Sequence, residues 1–281
     1  MLVRYLLFIF LVGISNVVYS QSFYTITVKN EDDQVIRFAS ITNLSKGNGA
    51  YSDSNGVVKF SYNSLNDTIE FSSIGYETLT TSVYIINGDE SIRLKKSYSE
   101  NTEVIVLSSK NTKYHNIGYH NLKDGGGFYL GAGNRIAIYI SNPAQKYVSL
   151  SGVYFRMINR GKCYSQIRVR VIESGPNFSV SNNDLLMENV FIENSKLKKL
   201  NYIDLEDHNV IFPPNGAYIV LEILNSGKQP CQEFSYPSIR GTLSLEHSVI
   251  RQSSWGSKWA KPPRSEMGKN LTPNIGIKLR Y

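Results

Sequence analysis

The sequence predicts an all-β protein that consists of two sandwich domains. Nineteen Tyr and twelve Phe stand among its 281 residues, and aromatic side chains favour the pleated, half-buried surface of a strand. Short alternating segments are separated by turn residues, a pattern typical of β-sandwiches. Because one domain usually takes ~100–200 residues, we assign residues 22–98 to a first sandwich and residues 135–281 to a larger one. Residues 99–134, rich in Gly and Asn, are expected to form a linker with a short strand at residues 104–107.

Residues 1–20 have the pattern of a secretory signal peptide. A basic start at residues 1–4 precedes an apolar run at residues 5–14, and small residues precede a cleavage site expected after Ser20. A membrane anchor is the alternative, but a spanning helix needs roughly 20 apolar residues. We therefore expect an exported mature chain without a transmembrane segment, which is periplasmic, associated with the outer membrane or secreted.

Strand signals and turn signals alternate through the first domain. The predicted strands are FYTITVKN, VIRFASIT, VVKFSYN, DTIEFSS, TTSVYII and SIRLK. In the third strand Val58, Phe60 and Tyr62 share one face, and in the fourth Ile69 and Phe71 do the same. The preceding DSNG predicts a turn, because Asp and Asn bond nearby backbone groups and Gly tolerates a positive φ.

The order of these motifs resembles the carboxypeptidase regulatory-like domain of Bacteroidetes-type exported proteins. RFASI, which begins at Arg37, stands at the second element of that family. Asp53, Gly56 and Phe60 match the family's G..TD.NG.F turn, and IGYE, which begins at Ile74, matches its last motif. The usual proline of the second element is replaced by Arg37.

This resemblance covers about residues 24–95 and implies a seven-stranded, transthyretin-like sandwich. In the family this domain is non-catalytic, and it precedes peptidases or the plugs of TonB-dependent outer-membrane transporters. A transporter would need a β-barrel after it, and too little chain remains for the many strands of a barrel.

Eight further strands are predicted in the second domain. They are RIAIYI, YVSLSGVYFRMI, SQIRVRVIE, DLLMENVFIE, KLNYIDLED, GAYIVLEIL, GTLSLEHSVI and NIGIKLRY. In SQIRVRVIE the apolar residues Ile167, Val169 and Val171 share one face, and the apolar phase slips at Ser151-Gly152, which predicts a bulge. The pattern indicates a jelly-roll-like sandwich. Its general plan resembles carbohydrate-binding modules, without implying any particular binding residue.

The charge of the chain is uneven. Residues 22–98 hold seven Lys and Arg against nine Asp and Glu, whereas residues 99–281 hold twenty-two against fourteen. A basic domain can meet nucleic acid, acidic glycans or an anionic membrane surface. A solvated basic surface without a partner is the alternative, and export argues against nucleic acid.

The chain has two cysteines, Cys163 and Cys231. In an oxidising compartment such a pair is consistent with a disulfide, which over a loop of this length would stabilise the fold by roughly 4 kcal/mol. Two unpaired thiols remain the alternative. Neither cysteine lies in a CxxC or Cys/His cluster of the kind that binds zinc.

The sequence contains no recognisable catalytic motif. None of its four histidines begins HxxE or HExxH, and GxSxG, P-loop and GxGxxG patterns are absent. His115, His120 and Asp124 lack the compact spacing of a metal site. We therefore predict a protein that is not an enzyme and that has no cofactor; an unrecognised or degenerate hydrolase is the alternative.

The strongest binding feature is the loop RQSSWGSKWAKPPR. It carries both tryptophans of the chain, Trp255 and Trp259, with Lys258 between them. Indole rings can stack on sugar rings or hold a partner's side chain, and a nearby lysine can donate hydrogen bonds. Tyr236 is a weaker companion. The alternative is that both indoles cap the open end of the sandwich core.

These observations together favour an exported, non-catalytic binding or adaptor protein of the cell envelope. Its expected partner is a glycan or a cell-envelope protein, bound through the second sandwich, and the first sandwich would act as a spacer or docking unit.

Overall fold

The computed structural model describes residues 22–97, 113–119, 125–162, 165–225, 235–244, 250–255, 257–261 and 270–281. Strands dominate these residues and enclose two large hydrophobic cores, which confirms the predicted all-β sandwich class. The predicted signal peptide, the strand predicted at residues 104–107, and both Cys163 and Cys231 lie outside the described residues. Within the described part, no helix has the length and apolar character that crossing a membrane requires.

The first sandwich contains seven strands in two sheets. They are β1 (Ser22–Asn30), β2 (Ser40–Asn43), β3 (Asn48–Tyr51), β4 (Val57–Tyr62), β5 (Thr68–Ser72), β6 (Leu79–Ser82) and β7 (Ser91–Leu94). One sheet has the order β4-β1-β7 and the other has the order β3-β2-β5-β6. The β1 and β7 strands are parallel, and the other pairs are antiparallel.

Alternate residues of these strands form the core between the two sheets. Val58 and Phe60 of β4, and Ile69 and Phe71 of β5, are buried as the alternation predicts. Tyr62 is half-buried and packs at the border of this core. The opposite face of β5 therefore remains available for contacts outside the first sandwich.

The predicted DSNG turn is confirmed. The Asp53 carboxylate accepts hydrogen bonds from the backbone N–H groups of Asn55, at 2.8 Å, and Val57, at 2.9 Å. These two bonds hold the chain in position as it enters β4, as expected of an Asp at the start of a turn.

One predicted strand is partly helical. TTSVYII was expected to be extended, but only its first residues belong to β6, and Val83–Ile86 form the short helix α1. Val83 and Ile86 are buried, whereas Tyr84 and Ile85 are each 70% exposed. This spacing of three between buried residues suits one turn of helix, and in so short a segment it is easily mistaken for a strand.

The second sandwich contains fourteen strands within the described residues. They are β8 (Tyr114–Gly118), β9 (Gly126–Tyr129), β10 (Arg135–Ile140), β11 (Val148–Asn159), β12 (Ser165–Ser174), β13 (Val180–Asp184), β14 (Val190–Glu193), β15 (Leu200–Asp204), β16 (Ile211–Phe212), β17 (Ala217–Asn225), β18 (Ser238–Ser244), β19 (Ile250–Ser253), β20 (Asn270–Pro273) and β21 (Ile275–Arg280). A six-stranded sheet has the order β13-β12-β17-β10-β19, with β14 paired to β12. An eight-stranded sheet has the order β20-β18-β11-β21-β8, with β9 on β18 and with β15 and β16 on β11.

The core of the second sandwich lies between these two sheets. Ile167, Val169 and Val171 of β12 are completely buried in it, as the alternation of SQIRVRVIE predicts. The bulge predicted at Ser151-Gly152 is also confirmed, because the register between β11 and β21 shifts between Leu150 and Gly152.

Two strands lie in the region that was expected to be a linker. The β8 strand pairs with β21, and β9 pairs with β18, so both extend the eight-stranded sheet of the second sandwich. Neither segment shows apolar alternation: β8 is exposed over most of its length, and β9 begins with two glycines. Glycine weakens a strand signal, which is why the assignment of this region to a linker was wrong.

The turn at Gly75 brings the first sandwich against the second. Gly75 has a φ of +81°, which disfavours a side chain, and a Cβ at this position would overlap the carbonyl oxygen of Met187. The preceding residue, Ile74, is 4% exposed and packs in the core of the second sandwich. This turn is therefore a contact point between the two sandwiches as well as a local bend.

We expect Gly75→Ala to weaken the fold more than Gly88→Ala. Both substitutions place a side chain at a positive φ, which costs about 1–2 kcal/mol, but a Cβ at Gly88 meets no atom within 4 Å. The overlap with Met187 should cost about 1–3 kcal/mol more. Urea unfolding of the two variants measures the difference, and equal losses would show that the Gly75 contact is not tight.

Candidate functional site

The outer faces of two sheets meet where the sandwiches contact each other. The four-stranded sheet of the first sandwich faces the six-stranded sheet of the second. Tyr51 of β3 donates a hydrogen bond from its hydroxyl to Glu222 Oε1 of β17 at 2.8 Å. Arg168 of β12 donates to the carbonyl oxygen of Phe38 at 2.9 Å, and the Phe38 ring packs edge to face against Phe191, with centroids 5.0 Å apart.

A buried network of charges lies at this interface. Arg168 binds the Glu222 carboxylate through Nε at 3.0 Å and Nη2 at 2.9 Å, and it donates through Nη1 to Asn189 Oδ1 at 2.9 Å. The side chains of Arg168 and Glu222 are only 2% and 4% exposed. Beside them, Arg170 binds Asp184 at 2.7 Å. Each buried charge therefore has an oppositely charged partner, as burial requires.

The environment of Glu222 keeps its carboxylate ionised. Burial raises the pKa of Glu222, but the positive charges of Arg168, Arg170 and Arg135, with the hydrogen bond from Tyr51, lower it to about 2. Burial and the adjacent Glu222 carboxylate raise the pKa of the Tyr51 hydroxyl well above its ordinary value. Tyr51 therefore remains a hydrogen-bond donor at every physiological pH.

The register of three strands brings the charged residues of this network together. One feature of the sequence indicates that this region is buried. Arg135, Glu222 and Arg168 lie directly opposite one another on β10, β17 and β12. No sequence motif predicted a site at these residues. The β17 strand nevertheless reads AYIVLEILN, and an apolar run without alternation indicates a strand covered on both faces. Eight of its nine residues are indeed buried.

A cleft of about 540 Å³ opens beside the network, between the two sandwiches. The first sandwich contributes the polar outer face of β2 and β5, with Ser40, Thr42, Glu70 and Ser72. The second sandwich contributes the charged residues Arg135, Arg170, Glu222, Arg251 and Lys258, together with Trp255 and Trp259. The structure thus brings three of the predicted binding residues, Trp255, Trp259 and Lys258, to one concave surface.

Trp255 connects the two sandwiches. Its ring packs against the Tyr51 ring at an angle of 46°, with centroids 4.6 Å apart. A Cβ at Gly49 of the first sandwich, or at Gly133 of the second, would overlap the indole. Trp255 therefore occupies a slot that two glycines keep open, and it packs at the interface rather than over the open end of a sandwich core.

Trp259 lies on the outer face of the six-stranded sheet. It packs against a small cluster of Ala137, Ile172, Tyr218 and Val220, which is separate from the large core. The Arg135 guanidinium lies over its ring, 5.0 Å from the centroid. The wall of the cleft therefore carries a half-buried indole with a guanidinium over its face.

Tyr236 does not belong to this site, so its prediction as a ligand-binding companion was wrong. It is 7% exposed and packs in the large core of the second sandwich. An aromatic residue between polar neighbours in EFSYPS resembles a surface residue, but composition alone does not show on which side of the chain its ring lies.

The described residues contain no group of three or more His, Cys, Asp or Glu placed to hold a metal ion. His115 lies on β8 and packs edge to face against Tyr281, with centroids 4.8 Å apart. His120 and Asp124, the other residues considered for a metal site, lie outside the described residues.

We expect acid to weaken the fold through Glu222. Its pKa falls from 4.5 to about 2 on folding, so its contribution is complete above pH 4.5 and is lost as the pH falls through 2. The linkage corresponds to about 3 kcal/mol. Urea unfolding between pH 7 and pH 2.5 measures this loss.

Glu222→Gln is the matched variant for this experiment. It leaves Arg168 buried without a charged partner, so it should be about 3–5 kcal/mol less stable than the natural protein at pH 7. Its stability should then change less between pH 4.5 and pH 2.5. An equal acid dependence in both proteins would show that Glu222 is not the group responsible.

Tyr51→Phe should weaken the interface between the sandwiches, although the ring that packs there remains. The substitution removes one hydrogen bond to a buried carboxylate, which should lower the free energy of unfolding by about 2 kcal/mol. Tyr62→Phe is the control, because the Tyr62 hydroxyl makes no hydrogen bond to the described residues. A loss for Tyr51→Phe no greater than that of the control would contradict the role given to this bond.

No protein-family model matches this chain, and no curated protein matches it. A solved structure of infectious bursal disease virus, Gt strain, is 11% identical with a TM-score of 0.27, and the match covers 93% of this chain and 59% of the viral one. This chain therefore spans less than two thirds of the viral chain. A structure of carbohydrate-binding modules from the β-sandwich superfamily is 10% identical with a TM-score of 0.14, and the match covers 93% of this chain and 95% of that one. Scores this low have no bearing on fold or function.

Proposed function

We propose that this chain is an exported, non-catalytic binding protein of the cell envelope, and that it binds a saccharide in the cleft between its two sandwiches. The observation that carries the proposal is that both tryptophans line one concave surface of about 540 Å³ with Lys258 and several hydroxyl groups. Ligand clefts commonly measure ~300–1,000 Å³.

The lining suits a sugar because a sugar has both apolar faces and hydroxyl groups. The indoles of Trp255 and Trp259 offer apolar surface for the C–H groups of a ring. Ser40, Thr42 and Asn182 offer side chains that donate and accept hydrogen bonds. The site takes residues from both sandwiches, so the first sandwich has a more direct part in binding than the spacer role that its resemblance to a regulatory-like domain implies.

Glu222, one of the two carboxylates that line the cleft, is poorly suited to hydrolysis. Glycoside hydrolases use two carboxyl groups, one of which is protonated near neutral pH. Glu222 lines the cleft, but its pKa of about 2 keeps it ionised. Its two oxygens already accept hydrogen bonds from Tyr51 and Arg168. Glu222 is therefore unable to serve as the acid of such a pair.

Tryptophan fluorescence tests this proposal directly. The chain has two tryptophans and both line the cleft, so the emission reports on this surface alone. We expect a saturable shift with at least one member of a panel of neutral and acidic oligosaccharides. Trp259→Ala should weaken binding about tenfold or more, because it removes the apolar ring face that the sugar contacts, and Trp259→Phe should weaken it less.

Tyr84→Ala is the control for this titration, because Tyr84 is exposed on α1 and does not line the cleft. Circular dichroism establishes that each variant is folded. No shift with any saccharide would overturn the proposal, and a cell-envelope protein would then become the partner to test. A shift that survives Trp259→Ala unchanged would show that the ligand does not contact Trp259.

A further inference from the structure

The cleft keeps an excess of positive charge after its internal ion pairs are taken into account. Glu222 is bound to Arg168 at 2.9 Å, and Arg170 is bound to Asp184 at 2.7 Å. These four side chains neutralise one another within the interface. The remaining charged residues of the lining determine what the cleft attracts.

Three cations of the lining make no salt bridge within the described part of the chain: Arg135, Arg251 and Lys258. One carboxylate of the lining, Glu70 on β5, is likewise without a salt bridge among the described residues. Positive charge therefore exceeds negative charge by two in this surface. A concave wall concentrates such a field on an approaching anion.

Of the three cations, Arg135 lies directly beside the charge network. It lies directly across from Glu222 on the neighbouring strand, but both oxygens of Glu222 are already bonded to Tyr51 and Arg168. The Arg135 side chain makes no hydrogen bond to any described residue, and its guanidinium rests on the Trp259 ring at 5.0 Å. Burial lowers the pKa of Arg135, although a guanidinium remains charged at every physiological pH.

Arg251 and Lys258 differ from Arg135 in their surroundings. Arg251 donates to the carbonyl oxygens of Ile250, at 2.9 Å, and Phe178, at 3.2 Å, so its position is fixed but its charge is not neutralised. Lys258 is exposed. These two residues strengthen the positive field, whereas Arg135 supplies a half-buried set of unused donors.

We propose that the saccharide is acidic, and that Arg135 binds its carboxylate or sulfate group next to the indole of Trp259. This inference rests on the proposed function and adds the chemical class of the ligand. A guanidinium presents five N–H donors in a fork that matches two oxygens of an oxyanion. Such an anion accepts hydrogen bonds from the free N–H groups of Arg135. The sugar ring that carries the anion then packs against the indole of Trp259.

The experiment compares ligands that differ only in charge. Calorimetric titration with an oligogalacturonate and with its methyl ester measures the contribution of the carboxylate on one sugar backbone. A sulfated oligosaccharide of similar length tests the second source of the anion. We expect the natural protein to bind at least one anionic ligand about tenfold or more tightly than its uncharged counterpart, as expected for charge-assisted hydrogen bonds.

Arg135→Gln removes the charge but keeps a polar side chain of related length. We expect it to reduce the preference for the charged ligand to less than about twofold, with little change in affinity for the methyl ester. Lys146→Gln is the control, because Lys146 is exposed on the second sandwich and does not line the cleft. Arg251→Gln changes a different cation of the lining. It provides a second test if Arg135→Gln fails to fold, and it should lower the same preference.

The outcomes separate this inference from the proposed function. Equal affinity for the charged and uncharged ligands would overturn the acidic specificity and leave saccharide binding intact. A preference for the anion that persists in Arg135→Gln and Arg251→Gln would overturn the assignment of these residues. Absence of binding by every saccharide would overturn both proposals.

Discussion

The ion pair between Arg168 and Glu222 determines how the two sandwiches meet, and the cleft depends on it. A charge buried this deeply costs several kcal/mol unless it is fully bonded. Glu222 completes its bonding with the Tyr51 hydroxyl, and Arg168 completes its own with the Phe38 carbonyl. Both of these partners belong to the first sandwich. The second sandwich therefore satisfies its buried charges only when the first is docked against it, so the charges select the docked arrangement.

A buried ion pair gives little net stability, but it restricts the orientations in which the two sandwiches can dock. An apolar interface tolerates sliding, whereas a guanidinium fork and a carboxylate bond well in few orientations. Apolar contacts supply the attraction here, among them Phe38 against Phe191 and Ile74 in the second core. The backbone at Phe38 has a φ of +58°, which costs about 1–2 kcal/mol in a residue with a bulky side chain. The hydrogen bond from Arg168 to the Phe38 carbonyl helps to offset this cost.

Local patterns in the sequence predicted the strands and turns, but they did not predict the interface between the two sandwiches. The alternation in β4, β5 and β12, the turn at Asp53 and the bulge before Gly152 are set by neighbours along the chain, so they were predictable. The clustering of Trp255, Lys258 and Trp259 in one short loop also pointed to the cleft. The wall opposite this loop comes from β2 and β5, and no local pattern shows which strands will face a given loop. Tyr236 was misplaced for the same reason, because burial depends on contacts across the sheet.

The cleft and the interface share residues, so ligand binding and domain docking must influence each other. The Trp255 ring fits between Gly49 of the first sandwich and Gly133 of the second, and it packs against Tyr51, whose hydroxyl donates to Glu222. A ligand that touches both walls stabilises the docked state, and the stabilisation increases with the logarithm of its affinity for that state. By the same linkage, a change that separates the sandwiches removes the part of the binding surface that the first sandwich contributes and so weakens binding. The first sandwich is thus one wall of the candidate site, and the hydrogen bond from Tyr51 to Glu222 holds that wall against the second sandwich.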